Sequence, residues 1–201
     1  MKRALWLLVL YAGICSVLFA QNTDRQTGES KTYKIGDIGP AGGIIFYDRG
    51  SYSDGLAGGL ADNWRYLEAA PAETEFSAAW GTYNHNINGT GHTVGSGKSN
   101  TRLIVEQLRI LGENGCAAEL CVKLKYNGFA DWFLPSKDEL DLMYKNLKQE
   151  NTGGFGTRIS YWSSSQVNKE CAWYQNFGNG RQYNYGNYKY DGFMVRAIRS
   201  F

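Results

Sequence analysis

The side chains best equipped for chemistry lie in a stretch that looks poorly suited to hold them. His85 and His92 are the only histidines, and both fall within residues 82–99, which are rich in Gly, Asn, Thr and His and nearly devoid of apolar residues. Neither stands beside a cysteine or in a His-Glu-x-x-His spacing, so two exposed loop imidazoles are expected, with weak metal binding at most. An exported enzyme using His85 or His92 with a loop carboxylate is the alternative. Residues 91–99 end in Gly97-Lys98-Ser99 and lead into a helix, as a phosphate-binding loop would. The first required glycine, however, falls on His92 and no apolar strand precedes the loop, so phosphate chemistry is not expected. Ser163, Ser164 and Ser165 lack the flanking glycines of a nucleophile elbow. Asp138, Glu139 and Asp141 open a helix, where acids are favoured without catalysis, and residues 48–55 lack the ligand spacing of a calcium loop. No catalytic residue, metal ligand or cofactor is assigned.

A different chemistry is concentrated near the carboxyl end. Residues 161–191 hold Tyr161, Tyr174, Tyr183, Tyr185, Tyr188 and Tyr190 with Asn168, Asn176, Asn179, Asn184 and Asn187, plus Trp162, Trp173 and Arg181. Recognition surfaces favour such residues, because a Tyr ring supplies contact area at small entropy cost and keeps a polar hydroxyl. Strand alternation sorts them: Trp173, Gln175 and Phe177 are expected inside with Tyr174 and Asn176 outside, and Gln182 inside with Arg181 and Tyr183 outside. The rival reading is that Tyr and Asn merely decorate exposed strands and turns.

The elements that must position these residues follow from the hydrophobic pattern. A chain of 201 residues, 43% hydrophobic, with 25 Gly and 3 Pro, suits one loop-rich domain. Glycines at 36, 39, 42 and 43 lead into a strand at 44–47, and a Gly-rich loop at 51–63 precedes a second strand at 64–67. A helix is expected from Ser99 or Asn100, with Leu103, Ile104, Leu108 and Leu111 at helical spacing before Gly112 and Gly115. A weaker helical stretch spans 116–125 and a strand 131–134. Ser136 and Glu139 then form a capping box ahead of the stripe Leu140, Met143, Tyr144 and Leu147. Short strands are expected at 161–164, 172–177, 181–185 and 194–198. The order predicts an α+β domain in which two main helices pack on a mostly antiparallel sheet.

Lys2 and Arg3 precede an apolar run at 4–20 that ends in Ala20 before a polar stretch, which reads as a secretory signal cleaved after Ala20. Lipidation at Cys15, which would tie the protein to an outer membrane, is the rival. Residues 21–32 read as a polar tether and 33–201 as the folded domain. Removing Lys2 and Arg3 leaves 19 basic against 19 acidic residues. Without a basic stripe, nucleic acid is not an expected partner. Cys116, Cys121 and Cys171 remain after export, either as one bridge and a free thiol or as three small buried apolar side chains.

Longer motifs carry a resemblance. Residues 35–47 (Ile-Gly-Asp-Ile-Gly-Pro-Ala-Gly-Gly-Ile-Ile-Phe-Tyr), 64–71 (Trp-Arg-Tyr-Leu-Glu-Ala-Ala-Pro), 97–101, 131–140, Tyr161 to Ser165, Ala172-Trp173, Val195-Arg196 and Arg199-Ser200-Phe201 resemble a bacterial family. It includes the C-terminal domain of collagen-like adhesins and the treponemal variable proteins, targets of diversity-generating retroelements. The resemblance implies a C-type lectin-like fold of the subtype shared with the formylglycine-generating enzyme. It also implies an exported protein, at the outer surface, periplasmic or secreted, that binds a protein or glycan ligand through a C-terminal face at 161–201 open to diversification. Trp162, Trp173, Phe177, Gly180, Gln182, Val195 and Arg196 would be framework. Asn168, Lys169, Glu170, Tyr174, Asn176, Asn179, Arg181, Tyr183, Tyr185, Asn187, Tyr188, Tyr190 and Asp191 would face the ligand. Ala197 stands where many relatives have Pro, and Cys171 alone does not recreate the paired active-site cysteines of the formylglycine-generating enzyme. The Glu-Pro-Asn, Gln-Pro-Asp and Trp-Asn-Asp triplets of calcium-dependent lectins are absent, so no calcium is implied. An envelope structural domain without a soluble ligand is a third reading.

Overall fold

The computed structural model describes residues 31–50 and 64–201. The expected signal, the Cys15 lipidation site, nearly all of the tether and the loop at 51–63 lie outside the described residues. Thr32–Phe201 forms one compact unit.

Among the described residues the fold is α+β, with eight strands in two sheets and three α-helices. The small sheet is antiparallel in the order β1 (Ile44–Asp48), β2 (Tyr66–Ala69), β8 (Ile198–Ser200). The larger sheet has five strands: β3 (Phe76–Ala79), β7 (Gly192–Val195), β4 (Ser160–Gln166), β5 (Ala172–Asn176) and β6 (Gln182–Tyr183). Its β4–β7 pair is parallel and the others are antiparallel. The single sheet expected from the sequence is therefore two. The chain crosses between them at Arg196 and Ala197, which splits the strand expected at 194–198 into β7 and β8.

The helices are α1 (Gly97–Ile110), α2 (Ala117–Lys123) and α3 (Lys137–Met143), the last continuing as a π-turn over Tyr144–Lys148. The capping box of α3 forms as its sequence predicts, with the Ser136 hydroxyl accepting from the Glu139 amide and the Glu139 carboxylate from the Ser136 amide. Residues 131–134 are not a strand: Phe133 alone bridges Ile198, exchanging bonds of 2.8 and 2.9 Å. β3 was not expected, because Phe76-Ser77-Ala78-Ala79 carries little strand signal and is held by pairing with β7.

Among the described residues the core falls into two large clusters and a small one of Tyr33, Ile45 and Tyr66. Phe46, Leu67, Met143, Leu147, Tyr161 and Phe177 fill one large cluster, between the small sheet and α3. Trp80, Ile104, Leu108, Trp132, Trp162 and Tyr174 fill the other, against α1 and α2. Central strands are thus covered on both faces.

Buried ionic groups knit the framework. Glu68, fully buried, accepts from the amides of Ala41 (3.1 Å) and Gly43 (2.7 Å) and from Arg199 (3.2 Å). A Cβ at Gly43 would collide with the Ala69 carbonyl, so the glycine-rich opening is what lets this turn close over the carboxylate. Burial, opposed by these bonds, pushes the Glu68 carboxyl above its ordinary range. Arg199 also holds Asp131 through two 2.9 Å bonds. Arg196 binds Glu75 at 2.7 Å and the carbonyls of Ala70 and Gly153.

Candidate ligand-binding face

Strand β5 sets the geometry of the face. Trp162 and Tyr174 are cross-strand partners, and Tyr174 continues into a ring stack with Tyr183, centroids 5.2 Å apart and planes 15° from parallel. Phe193 closes on Tyr174 at 4.7 Å. Tyr174 is therefore buried, contrary to its expected place in the ligand-facing set. Strand alternation put Tyr174 outward, but that side of β5 is covered by the Trp162 and Phe193 rings and by the loop at 184–191. The Tyr174 hydroxyl donates to the Tyr185 carbonyl (3.3 Å) and accepts from Asn187 (2.6 Å), so it braces that loop from beneath. Trp173 corrects the reading in the other direction. Expected inside, it lies at the start of α3, with Lys137 Nζ 5.1 Å from its ring and the His92 ring edge-on at 5.8 Å. It is half-buried.

The other expected contact residues divide by what their polar atoms do. Asn168 accepts from the amides of Glu170 and Cys171, both at 2.8 Å, and Asn176 from those of Gly178 (2.8 Å) and Asn179 (3.2 Å). Asn179 accepts from the Arg181 amide at 2.9 Å, and its amide donates to the Tyr183 hydroxyl. Asp191 accepts from the Tyr188 amide at 2.7 Å. These side chains shape turns before they meet any ligand. Lys169 and Arg181 are exposed, and Glu170 and Tyr183 half-buried.

What remains outward is aromatic. Tyr185, Tyr188 and Tyr190 are 69%, 40% and 57% exposed. Tyr188 and Tyr190 pack at 5.4 Å, and both meet Tyr83, at 5.3 and 5.7 Å. Tyr185 lies edge-on to Tyr183 at 6.5 Å, so the loop joins two aromatic groups. Tyr83 was missed, because it lies far upstream in the polar excursion and only the fold brings it here. Partial burial, then the carboxylate of Glu170, hold the Tyr83 phenol above its ordinary range, and partial burial, then Asp191, do so for Tyr190.

A second missed residue fixes the loop. Lys189, between two exposed tyrosines, is fully buried. Its Nζ donates to the His85 carbonyl and to Gln166, both at 2.6 Å, and sits 4.7 Å from the Trp80 ring centroid. Burial lowers its pKa to about 8. The alternation Tyr188, Lys189, Tyr190, out, in, out, was the available signal.

His85 and His92 are exposed, and both engage the framework through their carbonyls, His85 with Lys189 and His92 with the Asp138 amide. Among the described residues no three His, Cys, Asp or Glu side chains are grouped to hold a metal. The glycine loop at 91–99 does meet an anion, but an internal one. Glu139, fully buried, accepts from the Gly95 amide at 2.8 Å and the Ser136 amide at 2.6 Å, with Gly97 contributing a further backbone bond. Burial raises its pKa to about 6. Cys116, Cys121 and Cys171 are buried free thiols, which resolves their alternatives in favour of small apolar packing.

Residues 113–199 match the sequence profile of the Lcl C-terminal domain family. The fold resembles that of a fimbrial protein from Bacteroides ovatus, with a TM-score of 0.55 and 12% identity over 79% of this chain and 44% of that one. The chain thus spans under half the length of that structure, and the likeness is one of fold. No curated protein matches the chain.

Proposed function

We propose that this is an exported, adhesin-like surface protein that binds a protein or glycan ligand through the loop at 184–191, without performing chemistry. One observation carries the reading: three tyrosines of one short loop stand exposed over a packed support, their backbone pinned by Lys189, Tyr174 and Asn187. An exposed aromatic cluster on a fixed base offers contact area with little entropy left to lose on binding. The match of residues 113–199 to the Lcl C-terminal domain family and the likeness to a fimbrial protein support a surface role. The division between a framework locked by Arg196 and Arg199 and a loop that enters the core only through Lys189 and Asn187 also supports a C-type lectin-like display scaffold, whose exposed loop positions tolerate sequence diversification. The contact set is Tyr83, Tyr183, Tyr185, Tyr188 and Tyr190 with Lys169, Glu170, Arg181 and Asp191 around them.

The test is capture. Mature protein applied to arrays of glycans and of extracellular proteins should bind a restricted set, and Tyr185→Ala should weaken every positive by about 10-fold or more, as a central aromatic does. Binding indifferent to Tyr185 sinks the assignment of this face.

A further inference from the structure

A pocket opens at the flank of the tyrosine cluster, and its chemistry narrows what the face binds. It encloses about 300 Å³ between the end of β3 and the turn joining α1 to α2. Tyr83 and Tyr190 supply its aromatic lining, and Glu113 and Asn114 its exposed polar lining. Neither Lys nor Arg lines it, and among the described residues Glu113 has no ion-pair partner. Thr82, also in the wall, keeps a buried hydroxyl oxygen without a hydrogen-bond partner. Glu170 and Asp191 place further negative charge near the two rings and, after partial burial, add to the rise of the Tyr83 and Tyr190 phenol pKa values.

Aromatic faces carry negative quadrupole density and attract cations, and an uncompensated carboxylate adds to that field. An anionic ligand would meet the opposite. We infer that this pocket binds an organic cation: an ammonium or guanidinium group seated against Tyr83 and Tyr190 and facing Glu113. The group would come from an Arg or Lys side chain on a protein ligand, with a choline headgroup as the competing outcome of the test. The exposed Asn114 carboxamide offers an acceptor for N–H donors, which favours the guanidinium. The inference deepens the binding reading above, yet small probes test it apart from capture by the loop.

The experiment is a titration of the mature protein with N-acetyl-arginine amide, choline chloride and methyl α-glucopyranoside, followed by NMR shifts. Both cations should move resonances of Tyr83, Tyr190 and Glu113 with millimolar affinity, the arginine derivative more tightly if the source is a protein, choline if it is a headgroup. Tyr190→Leu, which keeps apolar packing but removes the π-face, should weaken cation binding by about 5-fold or more. Glu113→Gln should weaken it by about 3-fold and reduce its salt dependence. Saturation by the glucoside without either cation, or cation affinity unchanged in Tyr190→Leu, overturns the inference. Loss of macromolecular capture in Tyr185→Ala with cation binding intact would leave both readings standing, because Tyr185 does not line the pocket.

Discussion

The turn at 39–43 and the loop at 184–191 are both short, irregular and held by a buried ionic side chain, yet they serve opposite ends. The first closes over the Glu68 carboxylate, and Glu68 is in turn held by Arg199, so every charge faces inward and the turn becomes part of the framework. The second is pinned from below by Lys189, whose two bonds are spent on His85 and Gln166, and by Asn187 on Tyr174, while its tyrosines turn outward. A buried charge can lock a segment to specify the fold or lock it to present what lies beside it. The neighbours decide which: glycines permit close approach in the first case, tyrosines supply surface in the second.

Removing each lock separates the two roles. Arg199→Ala strands Glu68 in a dry site and releases Asp131, and should cost about 3–5 kcal/mol, the range for breaking a buried ion pair. Urea unfolding reads that loss directly, and a cost under about 1 kcal/mol would remove Arg199 from the framework. Lys189→Met keeps the bulk but deletes two bonds from a charged donor, so about 2–3 kcal/mol is expected. The variant should also lose capture while the rings stay in the chain, which hydrogen exchange would show as faster opening confined to 184–191.

The smallest stability effect is pH-dependent. Glu139 has its folded pKa raised to about 6 from 4.5 by burial, so the folded state binds the proton more tightly than the unfolded one. Its favourable contribution is complete below pH 4.5 and is lost as pH rises toward 6, a change of roughly 2 kcal/mol. Glu139→Gln should flatten the stability profile relative to the parent in that window alone. A parallel profile in both proteins would show that Glu139 does not titrate there.

Local signals in the sequence were legible where one chain segment decides the outcome. The capping box of Ser136 and Glu139, the stripe on α3 and the α2 stretch all form. The helix expected from Ser99 or Asn100 begins at Gly97, since Ser96 ends the preceding turn. Long-range choices were not legible. Arg196 and Ala197 carry the chain from one sheet to the other, a step that no periodicity encodes. Alternation placed Tyr174 outside, because it carries no sign that this side of β5 is packed by Phe193 and Tyr183. Tyr83 joins the cluster only through tertiary contact. Several asparagines read as contact residues are turn formers, because Asn serves both purposes and composition does not distinguish them.

The central claim is that recognition resides in exposed rings that the fold does not need. Its most direct test is Tyr185→Ala, Tyr188→Ala, Tyr190→Ala in one chain, with captured-ligand affinity and thermal midpoint measured on the same sample. Affinity should fall by about 100-fold or more, while stability changes by no more than about 0.5 kcal/mol per site. Undiminished affinity, or unfolding of the whole domain, would contradict the account.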